Sequence, residues 1–195
     1  ITILVTNVND VAPVVTSLAT FSAAENQTAI GSVEASDAEG DDLTYAVSGN
    51  EISISSEGVL SFISAPDYES KTTYTTSVTV SDGVNSVSQD ITVNITNVND
   101  VAPVISSSAT FSAAENQTAI GSVSASDAEG DDLTYAVSGD EISISNSGVL
   151  AFKNAPDYES KSTYTETVTV SDGVNSSTQD ITVNITNVND VAPVI

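Results

Sequence analysis

The chain has 195 residues, of which 27 are Asp or Glu and three are Lys, so its formal net charge at pH 7 is −24. Nucleic acids and anionic membrane surfaces are poor partners for such a chain, because both are bound by clustered cationic side chains. His, Cys and Arg are absent, which removes nucleophile–base pairs, disulfides and phosphate clamps and predicts a protein that is not an enzyme.

Internal repetition is the strongest feature of the sequence. Residues 11–100 and 101–190 align without gaps and are identical at 75 of 90 positions. The segment TNVNDVAP occurs at 6–13, 96–103 and 186–193. We therefore expect a segment of a longer array, divided into the last strand and linker of a preceding repeat at 1–10, repeat 1 at 11–100, repeat 2 at 101–190 and the start of a following repeat at 191–195.

Within a repeat, apolar and polar residues alternate with a period of two, which is typical of strands with one buried face. No apolar run approaches the ~20 residues of a membrane-spanning helix, so we expect no direct membrane insertion. Turn signals separate the strands every 8–12 residues or so, which indicates an all-β fold of two tandem seven-stranded antiparallel Greek-key β-sandwiches joined end to end. In repeat 1 the predicted strands lie around 14–21, 29–35, 43–47, 52–54, 59–62, 74–80 and 91–95.

Acidic residues occupy the loops between these strands. Because successive antiparallel strands run in opposite directions, alternate loops lie at opposite ends of a sandwich. The end of repeat 1 and the start of repeat 2 are joined by a short linker, and we expect their acids to face each other. The first group comprises Glu25, Asp67, Glu69, Asn99 and Asp100, and the second comprises Asp127, Glu129, Asp131, Asp132 and Asp172.

Such crowding of like charges needs a counter-charge. At a spacing of ~5 Å and an effective dielectric constant near 20, each neighbouring pair of carboxylates costs about 3 kcal/mol. A hard divalent cation offsets this cost, and oxygen ligands without His or Cys favour Ca²⁺ over Zn²⁺ or Cu²⁺. Mg²⁺ is less suitable, because it prefers strict octahedral geometry and retains its waters.

These loops resemble the motifs of the cadherin repeat, in the order in which that family has them. The corresponding segments are Ala24-Glu25-Asn26, Asp67-Tyr68-Glu69, Asn97–Pro103, Asp127-Ala128-Glu129 and Ser171-Asp172-Gly173. The resemblance implies three Ca²⁺ ions at the junction. By analogy, Glu25, Asp67, Glu69 and Asp100 bind the two ions nearer repeat 1, with Glu129 bridging, and the third is bound by Asn99, Asp127, Glu129 and Asp172.

The sequence departs from the cadherin motifs at two positions, since Asn97 replaces the first Asp of the linker and Glu129 replaces the second Asp of the DxD motif. The number of ions at the junction is therefore two or three, and either Asp131 or Asp132 could be a further ligand. The same reasoning predicts an N-terminal half-site and a weaker C-terminal half-site. The former comprises Asn9, Asp10, Asp37, Glu39, Asp41 and Asp82, and the latter comprises Glu115, Asp157, Glu159 and Asp190.

The resemblance implies calcium-binding extender repeats of a secreted or cell-surface bacterial adhesin or biofilm protein, in which Ca²⁺ stiffens the junction. The expected partners are neighbouring repeats of the same chain, with polysaccharide or another cell-surface ligand as a further class. A carbohydrate-binding module is the first alternative, although the chain has only ten aromatic residues and no Trp. Homophilic cell–cell adhesion is the second, and its usual exchange of a Trp-anchored strand is not available here.

Overall fold

The computed structural model describes residue 3 and residues 8–190. These form two compact units, Ile1–Val98 (unit 1) and Asn99–Ile195 (unit 2). Most of the strand predicted within 1–10 lies outside the described residues. The following repeat predicted at 191–195 lies entirely outside them. All regular elements in the described part of the chain are strands, and it contains no helix that is long and apolar enough to cross a membrane.

Unit 1 is a β-sandwich of two main sheets with an additional strand pair. The four-stranded sheet has the order β2-β9-β8-β5, the three-stranded sheet has the order β3-β7-β6, and β1 pairs with β4. The strands are β1 (Val14–Val15), β2 (Thr20–Ala24), β3 (Ala29–Ser32), β4 (Ala35–Ser36), β5 (Thr44–Val47), β6 (Ile52–Ile54), β7 (Val59–Phe62), β8 (Thr73–Ser81) and β9 (Ser86–Thr96).

Unit 2 repeats this arrangement strand for strand. Its sheets have the orders β11-β18-β17-β14 and β12-β16-β15, and β10 pairs with β13. The strands are β10 (Val104–Ile105), β11 (Thr110–Ala114), β12 (Ala119–Ser122), β13 (Ala125–Ser126), β14 (Thr134–Val137), β15 (Ile142–Ile144), β16 (Val149–Phe152), β17 (Thr163–Ser171) and β18 (Ser176–Thr186). The prediction of two tandem all-β sandwiches is confirmed.

The core of unit 1 lies between its two main sheets. Val78 and Val80 of β8 and Ile91 of β9 are completely buried, because alternate residues of a strand point to the same face. Leu60 and Phe62 of β7 cover them from the opposite sheet. The alternation that predicts these strands is thus the same alternation that builds the core.

Two details of the strand prediction are wrong. The single strands predicted around 14–21 and 29–35 are each divided in two, so each unit has nine strand segments rather than seven. The N–H groups of Thr16 and Ser17 both donate to the carbonyl of Glu34, at 2.8 and 3.3 Å. After these residues the chain leaves the β1–β4 pair and enters the four-stranded sheet as β2. There β2 pairs with β9 in parallel, so the sandwich is not wholly antiparallel.

The two acidic loop groups of unit 1 lie at opposite ends of β9. Asp82 immediately precedes the β9 turn, where its N–H donates to Asn85 O at 3.3 Å. Glu25 lies beside the far end of β9, where its N–H donates to Thr96 O at 3.2 Å. Eleven residues of β9 separate these ends, which corresponds to roughly 35 Å at the usual rise of a strand.

Gly58, in the turn between β6 and β7, can be compared with Gly49, in the loop between β5 and β6. Both have φ near +80°, at 80° and 81°, but a Cβ at Gly58 would lie 2.3 Å from Val33 O, whereas a Cβ at Gly49 would meet nothing within 4 Å. We expect Gly49→Ala to lower the free energy of unfolding by about 1–2 kcal/mol, the cost of a left-handed conformation. Gly58→Ala should cost clearly more, because it adds a clash with backbone. Urea denaturation of both variants measures the difference, and equal losses would contradict the packing at Gly58.

Candidate metal centres

The first type of acidic group, which we call the leading cluster, combines the linker residues before a sandwich with acids from two of its loops. These loops follow β4 and β8 in unit 1, and β13 and β17 in unit 2. In both units, carboxylate oxygens from three of its acids lie within 4.8 Å of one another. These are Asp37, Glu39 and Asp41 in unit 1 and Asp127, Glu129 and Asp131 in unit 2. The complete leading clusters are Asn9, Asp10, Asp37, Glu39, Asp41 and Asp82 in unit 1, and Asn99, Asp100, Asp127, Glu129, Asp131 and Asp172 in unit 2.

The loop after β13 folds around the carboxylate of Asp127. Its Oδ1 accepts the N–H groups of Glu129 and Asp131 at 3.0 and 3.2 Å, a local turn that Asp forms readily. Its Oδ2 is buried and has no hydrogen-bond partner. In unit 1, Asp37 Oδ1 accepts the corresponding N–H groups, and Asp37 Oδ2 is likewise buried and unpaired. In both side chains the backbone therefore fixes one carboxylate oxygen, while the other is buried without a hydrogen-bond donor.

The linker residues of each leading cluster are held by a glutamate. Glu129 accepts the N–H of Asp100 at 2.8 Å and that of Val101 at 3.3 Å. In unit 1, Glu39 accepts the N–H of Asp10 at 3.1 Å and that of Val11 at 3.0 Å. These bonds bring the linker against the loop that follows β4 or β13, so the linker residues and the acidic triad of each unit form one cluster.

Asp82 and Asp172 occupy the turns after β8 and β17, and each is only 9% exposed. Asp172 Oδ1 accepts the N–H groups of Val174 and Asn175 at 2.7 and 2.6 Å, and its Oδ2 is buried and unpaired. Burial raises the pKa of Asp172, but the hydrogen bonds from Asn175 and Val174 outweigh it and hold the pKa below its ordinary value. The pKa of Asp82 is lowered in the same way, with burial opposed by the N–H groups of Val84 and Asn85.

Asn85 and Asn175 are part of the leading clusters although the sequence alone did not identify them. Asn175 Nδ2 donates to Asn99 Oδ1 at 2.7 Å, and Asn85 Nδ2 donates to Asn9 Oδ1 at 2.9 Å. The available signal was an Asn three residues after each Asp of the Ser-Asp-Gly motif. Asn is so common in turns that this signal alone indicates only a turn.

The second type of acidic group, the trailing cluster, lies at the opposite end of each sandwich around a buried glutamate. Glu25 is 2% exposed, and its two oxygens accept the N–H groups of Val98 at 2.7 Å and Tyr68 at 2.8 Å. Glu115 is equally buried and binds the N–H groups of Val188 and Tyr158 at 2.6 and 2.9 Å. The trailing clusters are Glu25, Asp67 and Glu69 in unit 1, and Glu115, Asp157, Glu159 and Asp190 in unit 2.

The remaining acids of the trailing clusters are more exposed. Oxygens of Glu25 and Glu69, and of Glu115, Asp157 and Glu159, lie within 4.8 Å of one another. A hydrogen bond from the Ser70 hydroxyl is the main cause that lowers the pKa of Asp67, and the Ser160 hydroxyl does the same for Asp157, in both cases against a smaller effect of burial. Asp190 lies outside the unit 2 triad and accepts a 2.6 Å hydrogen bond from Asn116.

The three lysines form ion pairs with other acids. Lys71 Nζ lies 2.5 Å from Glu51, Lys161 pairs with Glu141, and Lys153 Nζ lies 3.8 Å from Asp140. Lys71 and Lys161 also lie over the rings of Tyr74 and Tyr164, at 4.1 and 4.2 Å from the centroids. Each lysine therefore has an acidic partner that belongs to neither a leading nor a trailing cluster.

The donor sets of both clusters suit a hard cation. Carboxylate, amide and carbonyl oxygens are the ligands that Ca²⁺ prefers, at 2.3–2.6 Å, so two oxygens on the same ion lie up to roughly 5 Å apart. The buried unpaired oxygens of Asp127 and Asp172 are suited to a cation, because a buried polar atom without a partner is costly.

The fold and these loops define a class of protein, the tandem Ig-like or cadherin-like β-sandwich repeat. Among solved structures, the fold resembles human protocadherin-24 EC1-2, with a TM-score of 0.79 and 20% identity over 91% of this chain and 98% of that one. It also resembles mouse cadherin-23 EC22-24, with a TM-score of 0.80 and 19% identity over 93% of this chain and 68% of that one. The predicted likeness to cadherin repeats is confirmed for the fold.

The chain belongs to the bacterial Ig domain family, whose model matches twice, at residues 9–96 and 99–186. A curated relative is chitinase A of Pseudoalteromonas piscicida, which is 33% identical over 157 residues. That alignment covers 78% of this chain and 19% of the relative. The chain thus spans about a fifth of the length of this relative.

The role of Glu25 as a structural acceptor can be tested without metal. In Glu25→Gln, the side-chain NH₂ would face one of the two N–H donors, Tyr68 or Val98, and one backbone donor would be left unsatisfied. We expect a loss of about 1–3 kcal/mol in the free energy of unfolding, measured by chemical denaturation in excess chelator. The exposed Glu57→Gln serves as the control and should change stability by less than about 0.5 kcal/mol. A Glu25→Gln variant as stable as the control would show that Glu25 has no structural role without metal.

Proposed function

We propose that the chain consists of calcium-binding extender repeats in which Ca²⁺ stiffens the connection between consecutive sandwiches. The observation that carries this proposal is the set of buried, unpaired oxygens of Asp127 and Asp172 in a cluster whose neighbouring carboxylates lie within 4.8 Å of one another. Two or three ions bind at the central junction, with the ligands Glu25, Asp67, Glu69, Asn99, Asp100, Asp127, Glu129, Asp131 and Asp172.

The contacts of the linker within each unit support this proposal. Within unit 1, Glu25 holds the N–H of Val98, and within unit 2, Glu129 holds the N–H of Asp100. A trailing glutamate and a leading glutamate thus bind linker residues that are two positions apart in the sequence. Cations at these glutamates would restrict the backbone torsions of the linker residues between them.

The proposed leading-cluster sites can each form from one unit and its own linker. In unit 1 all the proposed ligands come from residues 9–82, so this N-terminal site should bind Ca²⁺ by itself; they are Asn9, Asp10, Asp37, Glu39, Asp41 and Asp82. The trailing set of unit 2, with Glu115, Asp157, Glu159 and Asp190, is proposed as the weaker half-site. Extracellular Ca²⁺ modules typically bind at ~10⁻⁴–10⁻³ M.

The repeats are proposed to act outside the cell, in a secreted or surface-attached bacterial adhesin or biofilm protein, with no catalytic role of their own. Bacterial Ig domains and cadherin-like sandwiches support an extracellular setting. Near-identical repeats suit a part whose copy number sets length. The partners are then neighbouring repeats and a cell-surface ligand bound elsewhere on the same protein.

Polysaccharide binding is kept as a second candidate because a curated relative is named a chitinase. Sugar rings stack on exposed aromatic faces, and among the described aromatic residues Tyr158 is the most exposed at 38%. Tyr74 and Tyr164 have a lysine over their rings. Retention on insoluble chitin that is unchanged by chelator would favour this candidate over the extender.

Calcium binding is tested by Asp127→Asn, which keeps the size and the Oδ1 acceptor but removes the charge. We expect its Ca²⁺ affinity at the leading cluster of unit 2 to fall about tenfold or more, because a carboxylate beside the ion contributes a few kcal/mol even in a polar medium. Asp180→Asn, on the exposed face of β18, is the control and should bind like the unmodified chain. Isothermal titration calorimetry measures both, and equal affinities would exclude Asp127 as a ligand.

Stiffening is tested by small-angle X-ray scattering of the whole chain with Ca²⁺ and with chelator. We expect a single, narrow distribution of interatomic distances with Ca²⁺ and a broader one after its removal, while circular dichroism shows that the sandwiches remain folded. Identical distance distributions in both conditions would contradict the mechanical role even if calcium binds.

A further inference from the structure

Asn85 and Asn175 share two contacts in the two units, and in unit 1 Asn85 Nδ2 also donates to Asp82 Oδ2 at 3.3 Å. The backbone N–H of each donates to the preceding aspartate, Asp82 or Asp172, at 2.6 Å. The side-chain Nδ2 of each donates to the linker asparagine, at 2.9 Å for Asn9 and 2.7 Å for Asn99. One residue therefore links the turn that carries a predicted ligand with the linker that carries another, across 76 positions of sequence.

The donor at this position determines which way the linker amide points. Asn99 Oδ1 has two lone pairs, and the bond from Asn175 uses one of them while keeping the NH₂ of Asn99 turned away. In unit 1 the orientation is fixed twice, since Asn9 Nδ2 also donates to Asp82 O at 3.3 Å. The second lone pair of the amide oxygen remains for a cation, as does the unpaired Oδ2 of Asp172.

We infer that Asn85 and Asn175 are positioning residues that orient the linker amide oxygen toward the leading cluster before the cation arrives. This inference rests on the proposed calcium-binding function. Neither asparagine is itself a ligand. The side chain of each donates through Nδ2 to the linker ligand, its backbone N–H fixes Asp82 or Asp172, and its carbonyl accepts a 2.8 Å bond from the hydroxyl of Ser81 or Ser171.

An amide is required at this position for a physical reason. An aspartate would place a carboxylate against the Asn99 oxygen, and an apolar residue would leave the amide of Asn99 free to turn its NH₂ toward the cation. Outer partners of metal ligands commonly change metal affinity by 10–100-fold. Most of the effect here should come through Asn99, because the 2.6 Å bond from the backbone N–H of Asn175 to Asp172 survives substitution.

The experiment is a double-mutant cycle with Asn175→Ala, Asn99→Ala and the double variant in the full chain. Calcium titrations followed by NMR give a separate affinity for each unit from the backbone amide signals of Glu129 and Asp131 in unit 2, and of Glu39 and Asp41 in unit 1. The leading cluster of unit 1, with Asn85 intact, is the control within the same molecule.

We expect Asn175→Ala to weaken Ca²⁺ binding at unit 2 about tenfold and to leave unit 1 unchanged. In the Asn99→Ala background, the further loss on removing Asn175 should be less than about twofold, because residues that act through one another are not additive. Equal losses in both backgrounds, or no loss in either, would overturn the positioning role. If the unmodified chain binds no Ca²⁺ at either leading cluster, the proposed function itself fails.

A second measurement separates positioning from folding. In excess chelator, the side-chain NH₂ of Asn175 should exchange with solvent slowly, and Asn99→Ala should remove that protection without changing the core signals. Asn175→Ser, which suits the turn but does not reach Asn99, should reproduce the affinity of Asn175→Ala. Fast exchange of the Asn175 NH₂ in the unmodified chain, or normal affinity in Asn175→Ser, would also overturn the inference.

Discussion

Backbone N–H groups donated to carboxylate oxygens are the interaction on which the acidic loops depend. Asp127, Asp172 and Glu25 each accept two such bonds, and these bonds determine the path of the loop around each side chain. At Asp172, burial raises the pKa of the carboxyl, but these bonds outweigh burial and hold that pKa below its ordinary value. The loops therefore concentrate negative charge at fixed positions without help from the lysines, which pair with Glu51, Asp140 and Glu141.

A fixed charge cluster without a counter-ion stores electrostatic repulsion. In Asp127 and Asp172 the backbone satisfies Oδ1 and leaves Oδ2 buried and unpaired. Under the proposed function, a loop that satisfied both oxygens would leave none for the cation, and a loop that satisfied neither would not hold the carboxylate in place. This division of the two oxygens of one carboxylate differs from an ordinary acidic surface, where both oxygens are hydrated, and it is what the proposed calcium site requires.

Much of the fold could be predicted because it depends on local periodicity. The alternation at 74–80 and 91–95 identified β8 and β9, and the strands predicted at 52–54 and 59–62 are β6 and β7. The parallel pairing of β2 with β9 could not be predicted in this way. It depends on where the chain crosses between sheets, near Thr16 and Ser17, and no periodicity marks that crossing.

In the candidate sites, too, residues that depend on local sequence could be predicted, and residues that depend on long-range contacts could not. Asp37, Glu39 and Asp127 were evident because acidic loop residues at the same end of a sandwich can be assigned from strand direction alone. Asn85 and Asn175 were not, since they join the leading clusters through a hydrogen bond to a residue 76 positions away.

The differences between the two repeats bear on how such a cluster tolerates change. All fifteen differing positions, such as Thr76 and Glu166, lie outside the leading and trailing clusters and outside the TNVNDVAP linkers. One of them changes a buried residue: Thr76 is 8% exposed and donates to Ser48 O at 2.7 Å, whereas Glu166 accepts a bond from the Ser138 hydroxyl at 2.8 Å. The sandwich thus accommodates a new charge near its core. A cluster in which each backbone donor has a specific carboxylate acceptor has less freedom, because losing one side chain leaves its backbone donors without an acceptor.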